Sequence, residues 1–177
     1  MKKSLYLLVT LFALVSCNQK PTLQKYFVEH SEKKSFSTID IAPGLLESNK
    51  LGLSADEKAA LKSMHKFNVL FFKIDQNNKP EFEQEKKNVK AVLKEDAYEE
   101  LMSFGSNKTG ASLSTKGTGD KIDEFVVFVH NSDTGFGVVR VLGKDMTPNN
   151  VMTIAGILQK SNFDSEQLKP LKELLKK

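Results

Sequence analysis

Apolar positions along the chain change spacing often enough to separate one element from the next. The first apolar run, Leu5 to Leu14, has no helical or strand period. Beyond Pro21 the pattern turns helical: Leu23, Tyr26, Phe27 and His30 stand at i, i+3, i+4 and i+7 behind Thr22, a good capping residue. A first helix with one core-facing stripe is expected there. Phe36 to Ile41 alternates as a strand does, and Pro43-Gly44 ends it. Leu45, Leu46, Leu51 and Leu53 make the next connection apolar, so it is expected to pack down on the core. Ser54 and Glu57 have capping-box spacing, with Ala59, Ala60, Leu61 and Met64 following as a helical face. Phe67 to Asp75 is apolar on both period-2 faces, which predicts a central strand covered on both sides over part of its length.

After the polar turn Gln76 to Lys79, Pro80 sits where the first turn of a helix tolerates it, and Phe82, Val89, Val92 and Leu93 point inward. Asp96 and Glu99 repeat the capping-box spacing, predicting a break near Glu95 and a short second helix through Leu101 and Met102. Phe104 to Gly110 reads as a flexible loop. Three runs, Ala111 to Thr115, Ile122 to His130 and Phe136 to Leu142, then predict an antiparallel meander. Thr147-Pro148 opens a helix with Val151, Ile154, Ala155 and Leu158 inside, and Leu168, Leu171, Leu174 and Leu175 outline a last amphipathic helix that Pro170 interrupts. The order predicts an α+β domain over residues 22–177: a single mixed, mainly antiparallel sheet of about five strands, with helices packed mainly on one face.

The unperiodic first run has a different meaning. Lys2 and Lys3 precede it, and it is too short for the ~20 residues that span a bilayer, so it reads as a cleaved signal peptide over residues 1–16. Its end, Leu14-Val15-Ser16-Cys17, resembles the lipobox of bacterial lipoproteins, whose cysteine is lipidated on sulfur and becomes the first mature residue. The resemblance implies lipidation of Cys17, several acyl chains holding the domain at a membrane, and residues 17–21 as lipidated cysteine and tether. Four or five extended residues reach only ~15 Å, which would keep the domain near the headgroups.

Composition adds exclusions. From Cys17 onward 161 of the 177 residues remain, enough for one core without staples. Cys17 is the single cysteine, so its lipidation removes disulfides, thiolate metal sites and cysteine catalysis together. With Lys2 and Lys3 gone, 24 basic residues face 22 acidic ones and the only arginine is Arg140, a balance that argues against nucleic acid as a partner.

Candidate chemistry is sparse. Gly105 to Ser112 looks like a phosphate loop, but Ala111 stands where the lysine is needed. Asp75 to Pro80 begins like a calcium loop, yet Pro80 occupies the glycine position and Lys86 that of the bidentate glutamate. Asp133-Thr134-Gly135 matches the aspartic-protease triplet in a setting that turn chemistry explains. His30, His65 and His130 fall on separate elements with no zinc spacing: His30 and His130 are expected at element ends, His65 near a helix C-terminus. Neither a metal nor a cofactor is expected, and no catalytic set assembles. The candidate interaction residues are Arg140, His130 and Asp133. Arg140 is the first choice for mutation, although a solvent-facing strand position would also account for it.

Tyr26-Phe27, Phe36 to Ile41, Asn68-Val69-Leu70, Tyr98 to Met102 and Ile122 to Val127 occur in a succession similar to that of the envelope lipoproteins grouped as domain-of-unknown-function family 4252. The resemblance spans most of the mature chain and transfers no catalytic residue. It implies a small exported lipoprotein, of a kind sometimes encoded beside extracytoplasmic-function sigma factors, and hence a link to envelope stress. The expected role is non-enzymatic: a domain at the bacterial envelope, in the outer membrane by preference, binding another envelope protein. A module for a small envelope ligand, lipid or glycan, is the alternative, and a hydrolase the third.

Overall fold

The computed structural model describes residues 20–42, 44 and 52–160. In chain order the elements are α1 (Leu23–His30), β1 (Phe36–Ile41), α2 (Ala55–Lys62), β2 (Met64–Lys73), α3 (Lys79–Glu95), β3 (Glu99–Gly105), β4 (Thr109–Thr118), β5 (Lys121–Asn131), β6 (Gly135–Met146) and α4 (Pro148–Lys160). The helix starts follow local chemistry. Thr22 accepts from Lys25 N at 3.2 Å, Ser54 and Glu57 complete the expected capping box, and Pro80 lies in the first turn of α3.

The strands form one sheet in the order β1-β2-β6-β5-β4-β3, and every neighbouring pair is antiparallel. β4 to β6 are the expected meander, β3 adds a strand to its outer edge, and β6 closes against β2 to bring in the N-terminal half. β2 is an interior strand, as its two-sided apolar pattern required. Phe67, Val69 and Phe71 point to one face, Leu70 and Phe72 to the other.

The α+β class is therefore as expected, with three corrections of detail. Among the described residues there are six strands, all antiparallel, and the helices divide between the faces. α2 and α4 cover one core, built on Phe67, Val141, Leu61, Ile154 and Ile157. α1 and α3 cover the other, built on Phe72, Phe136, Phe128, Leu23, Phe82 and Val89. The physical reason is that β2, β5 and β6 are apolar on both faces, so cover on one side would leave half of each strand in water.

The extra strand comes from Glu99–Gly105, where a helix and then a loop were expected. α3 does stop at Glu95, but the Asp96-Ala97 step ends one helix and starts no other. Asp96 N donates to Val92 O at 2.8 Å, Tyr98 N to Leu93 O at 3.1 Å, and Ala97 adopts φ 61°, a Schellman-type exit built without glycine. The chain then runs extended and pairs with β4, Glu99 opposite Thr115 and Gly105 opposite Gly110. Residues 106–108 form a tight turn rather than a flexible loop, because Ser106 N donates to Thr109 O at 2.7 Å and Ser106 Oγ accepts from Lys108 N at 3.2 Å.

Smaller departures have similar causes. Met64 starts β2 and Ala59 is exposed, leaving Ala60 and Leu61 as the buried residues of α2. On α4, Ala155 is half-buried while Ile157 joins the core. Of the apolar connection, Leu53 packs against the α2/α4 core, and Leu45, Leu46 and Leu51 lie outside the described residues. The signal peptide, Cys17 and the expected last helix with Leu168 to Leu175 also lie outside them. Among the described residues no helix is long and apolar enough to cross a membrane.

Candidate functional site

The chemistry of the molecule gathers on the α1/α3 face. Arg140 follows Phe136 and Val138 on the inward row of β6, so it is buried, and the solvent-facing reading is wrong. Both faces of β6 are apolar, which leaves no wet side for the guanidinium to reach. It is matched instead by Glu124 of β5, which receives Nε and, at 3.0 Å, Nη2, while Nη1 donates to Gln24 of α1. The same carboxylate accepts from the Tyr98 hydroxyl. Burial would lower the pKa of Arg140, but the hydrogen bond and charge of Glu124 outweigh it and raise it. Burial and the same Glu124 push the Tyr98 phenol upward. Beside this network Asp96 accepts from Leu23 N at 2.9 Å and from Lys116 Nζ at 2.8 Å, tying the start of α1 to the end of α3 and to β4. Arg140 thus acts as a buried tie between strand and helix. A small cleft of about 160 Å³ with Asp40, Lys66 and Asn68 reaches its edge.

A second polar cluster joins α1 to α3. Glu85 lies in the apolar stripe of α3 and receives the Tyr26 hydroxyl at 2.8 Å and Asn88 Nδ2 at 3.0 Å, with His30 Nε2 at 3.2 Å and Lys33 Nζ at 3.5 Å. His30 Nδ1 is 2.7 Å from the Tyr26 carbonyl, which can only accept, so Nδ1 carries a proton. Nε2 then accepts from Lys33 Nζ, 2.8 Å away, when the ring is neutral, or donates to Glu85 when it is charged. Burial alone would raise the Glu85 pKa, yet these donors and the His30 charge hold it below the usual carboxylate value. The Tyr26 phenol is pushed up by burial and by the same carboxylate.

His130 lies one residue from the end of β5, near the element end as expected, but is 92% buried rather than merely terminal. It sits opposite Gly110 of β4 and Phe136 of β6, with its ring 5.7 Å from that of Phe128. A Cβ on Gly110 would come within 2.8 Å of Nε2, so the glycine is what lets the imidazole lie across β4. Burial, then the charges of Lys86 and Lys90, pull its pKa below the ordinary 6.5.

Asp133 is exposed on the β5–β6 turn, where its amide donates to Asn131 Oδ1 at 2.8 Å. This is turn chemistry, and nothing joins Asp133 to His130 or Arg140. His65 is exposed just after α2. The calcium-like stretch is likewise a turn: Asp75 Oδ1 accepts from Asn77 N at 2.7 Å and Asn78 N at 3.0 Å. Among the described residues no group of three histidine, cysteine or acidic side chains is arranged to hold a metal ion.

The outer edge of the sheet has a different character. All of β3 is exposed, with Leu101, Met102 and Phe104 at 45%, 42% and 69%. On the α4 side Met102 and Phe104 border an apolar groove of about 300 Å³, walled by Leu113, Val127, Met152 and Leu158. Sequence reasoning missed β3 and this groove, Glu85 and Glu124. Glu85 had a signal, since it falls inside the helical stripe Phe82, Val89 and Val92. Glu124 had one as well, sharing strand parity with Val126 and Phe128.

Comparison with known proteins adds one match. No curated protein and no solved structure matches the chain. A family model does, described as domain of unknown function DUF4252, over residues 26–154, which takes in the sequence from α1 well into α4. The chain belongs to the DUF4252 family.

Proposed function

We propose that this protein is a lipid-anchored lipoprotein of the bacterial envelope whose domain serves a non-enzymatic role, binding another envelope protein. The observation that carries the reading is the β3 edge, where Leu101, Met102 and Phe104 stand exposed beside the apolar groove under α4. An edge unpaired among the described residues, with an apolar groove alongside, suits a partner that adds an extended segment as a further strand and drops apolar side chains into the groove. Glu99, Glu100 and the irregular pairing at Leu101 oppose indiscriminate edge-to-edge association, as expected of an edge kept for a selected partner. The lipobox-like Leu14 to Cys17 supports the address, and Asn18, in place of an aspartate after the anchor, favours the outer membrane.

Two experiments test this reading. Cys17→Ser should move the protein out of the membrane fraction, and retention of the variant there would remove the lipid-anchor part. A photo-crosslinking residue at Phe104, used in intact cells, should trap a reproducible envelope protein that the same residue at exposed Asp133 does not. Identical patterns at the two positions would sink the edge as a docking surface.

A further inference from the structure

A cleft of about 550 Å³ opens between the C-terminal half of α3 and the β3–β4 hairpin, on the opposite side of β3 from the apolar groove. The volume lies in the range that holds small molecules. Its lining is mixed. Phe128 and Leu93 supply apolar surface, Ser112 and Ser114 supply hydroxyls, and His130 stands in the wall. Lys90 and Lys94 reach it from α3, and neither has an ion pair among the described residues. Glu100 is the one carboxylate of the lining, so the local balance is cationic.

His130 separates this cleft from ordinary core. The other four buried ionic or imidazole side chains on this face are partnered: Arg140 with Glu124, and His30 with Glu85 and the Tyr26 carbonyl. His130, nine-tenths buried, has no hydrogen bond to a described residue, and its Nδ1 is fully enclosed. A buried polar group left so is destabilising and calls for a reason. Gly110 keeps open the space the imidazole needs, so the fold accommodates the ring at that position at the expense of a side chain on β4.

We propose that the cleft is a binding site for a small hydroxylated ligand carrying an oxyanion, a carboxylate or a phosphate, as in an acidic or phosphorylated sugar. Lys90 and Lys94 hold the oxyanion. The imidazole of His130 and the serine hydroxyls take the ligand's hydroxyls, and its C–H face lies on Phe128 and Leu93. Burial with the neighbouring lysine charges lowers the His130 pKa and favours the neutral ring, so Nε2, which unlike Nδ1 is not enclosed, donates to or accepts from a ligand hydroxyl according to the tautomer. The cleft borders the β3 edge and shares Phe104 with the apolar groove, but Lys90, Lys94 and His130, which would hold the ligand, do not line that groove.

With only three histidines in the chain, the test is direct. The full lipidated protein, labelled at histidine 13Cε1 and held in nanodiscs, is titrated at pH 7 with glucose 6-phosphate, with galacturonate and with neutral glucose. The His130→Gln variant assigns the signal. We expect the His130 resonance to shift saturably with at least one of the two anions while those of His30 and His65 stay put. Binding should be about tenfold or more weaker for glucose, and weaker by a similar factor in Lys90→Gln/Lys94→Gln. These lysines are exposed, and unchanged His30 and His65 signals will show that the variant is folded. No saturable His130 shift with either anion at millimolar concentration, or equal affinity for glucose or in the lysine variant, would overturn the proposal.

Discussion

The two faces of the sheet are closed by different means. Between the sheet and α2/α4 the core is aliphatic and aromatic, and its one buried polar side chain among the described residues is Thr115. Between the sheet and α1/α3 an aromatic cluster, with Phe72 and Phe136 stacked 5.2 Å apart, shares the interior with His30, Glu85, Glu124, His130 and Arg140. The first face is held by burial, which has no direction. The second is held by directed bonds between named atoms: Glu124 fixes Arg140 and Tyr98, and Glu85 fixes Tyr26 and His30. Such bonds set where α1 and α3 sit, at the risk that removing one partner strands another in a low-dielectric interior.

The largest test of this contrast breaks a pair on the polar face. Glu124→Leu leaves the Arg140 guanidinium buried without its carboxylate and should cost about 3–5 kcal/mol in denaturant unfolding. The double change Glu124→Leu/Arg140→Met removes both charges and should recover most of that loss. A double variant no more stable than the single one would mean that packing, not the stranded charge, sets the cost. On the apolar face, Phe67→Ala should also cost about 3–5 kcal/mol, through lost transfer energy and a cavity. That loss should be the same at pH 4 and pH 8, and a pH-dependent loss would blur the distinction between the faces.

Glu85→Gln should have a smaller effect, about 1.5–3 kcal/mol near neutral pH, because it weakens hydrogen bonds to a charged acceptor. Its sign with pH is fixed. The folded carboxyl titrates below its ordinary 4.5, so its stabilisation is complete above that value and is lost as pH falls through the lower folded value. The glutamine variant should lack that portion of the acid loss, and an unchanged acid profile would show that Glu85 contributes no linkage. The smallest effect is at the exit of α3. Ala97 holds φ 61°, a conformation that disfavours a β-carbon, so Ala97→Gly should stabilise by about 0.5–1 kcal/mol. Destabilisation there would place the constraint in the surroundings rather than in the backbone.

The ease of reading each face from sequence follows the same division. α1, α2, α3 and α4 were legible because each carries one periodic stripe behind a recognisable cap, as with Thr22, Ser54 and Pro80. β1 and the meander were legible because alternation survives in Phe36 to Ile41 and in Ile122 to His130. β3 was not. Glu99-Glu100-Leu101-Met102 has helical composition, and the turn out of α3 uses Ala97 where a glycine would have announced it. What makes Glu99–Gly105 a strand is the free edge of β4, a partner distant in sequence. Arg140 and His130 were singled out as residues, but their environment was not. A lone arginine in a strand looks exposed until both faces of that strand are known to be covered.

The sequence by itself determined the helix stripes, the caps, the meander and the family, because these rest on periodicity and on neighbours within a few residues. It also holds the run Leu14-Val15-Ser16-Cys17 on which the proposed lipid anchor rests. Tertiary structure decided what depends on distant pairing: the sixth strand, the division of helices over two faces, and the meeting of Glu124 with Arg140 across 16 positions and of Tyr26 with Glu85 across 59. It also placed Lys90, Lys94, Ser114 and His130 around one cleft. Period can mark such a side chain as inward but does not name its partner: strand register brings Glu124 to Arg140, and the packing of α1 on α3 brings Tyr26 to Glu85.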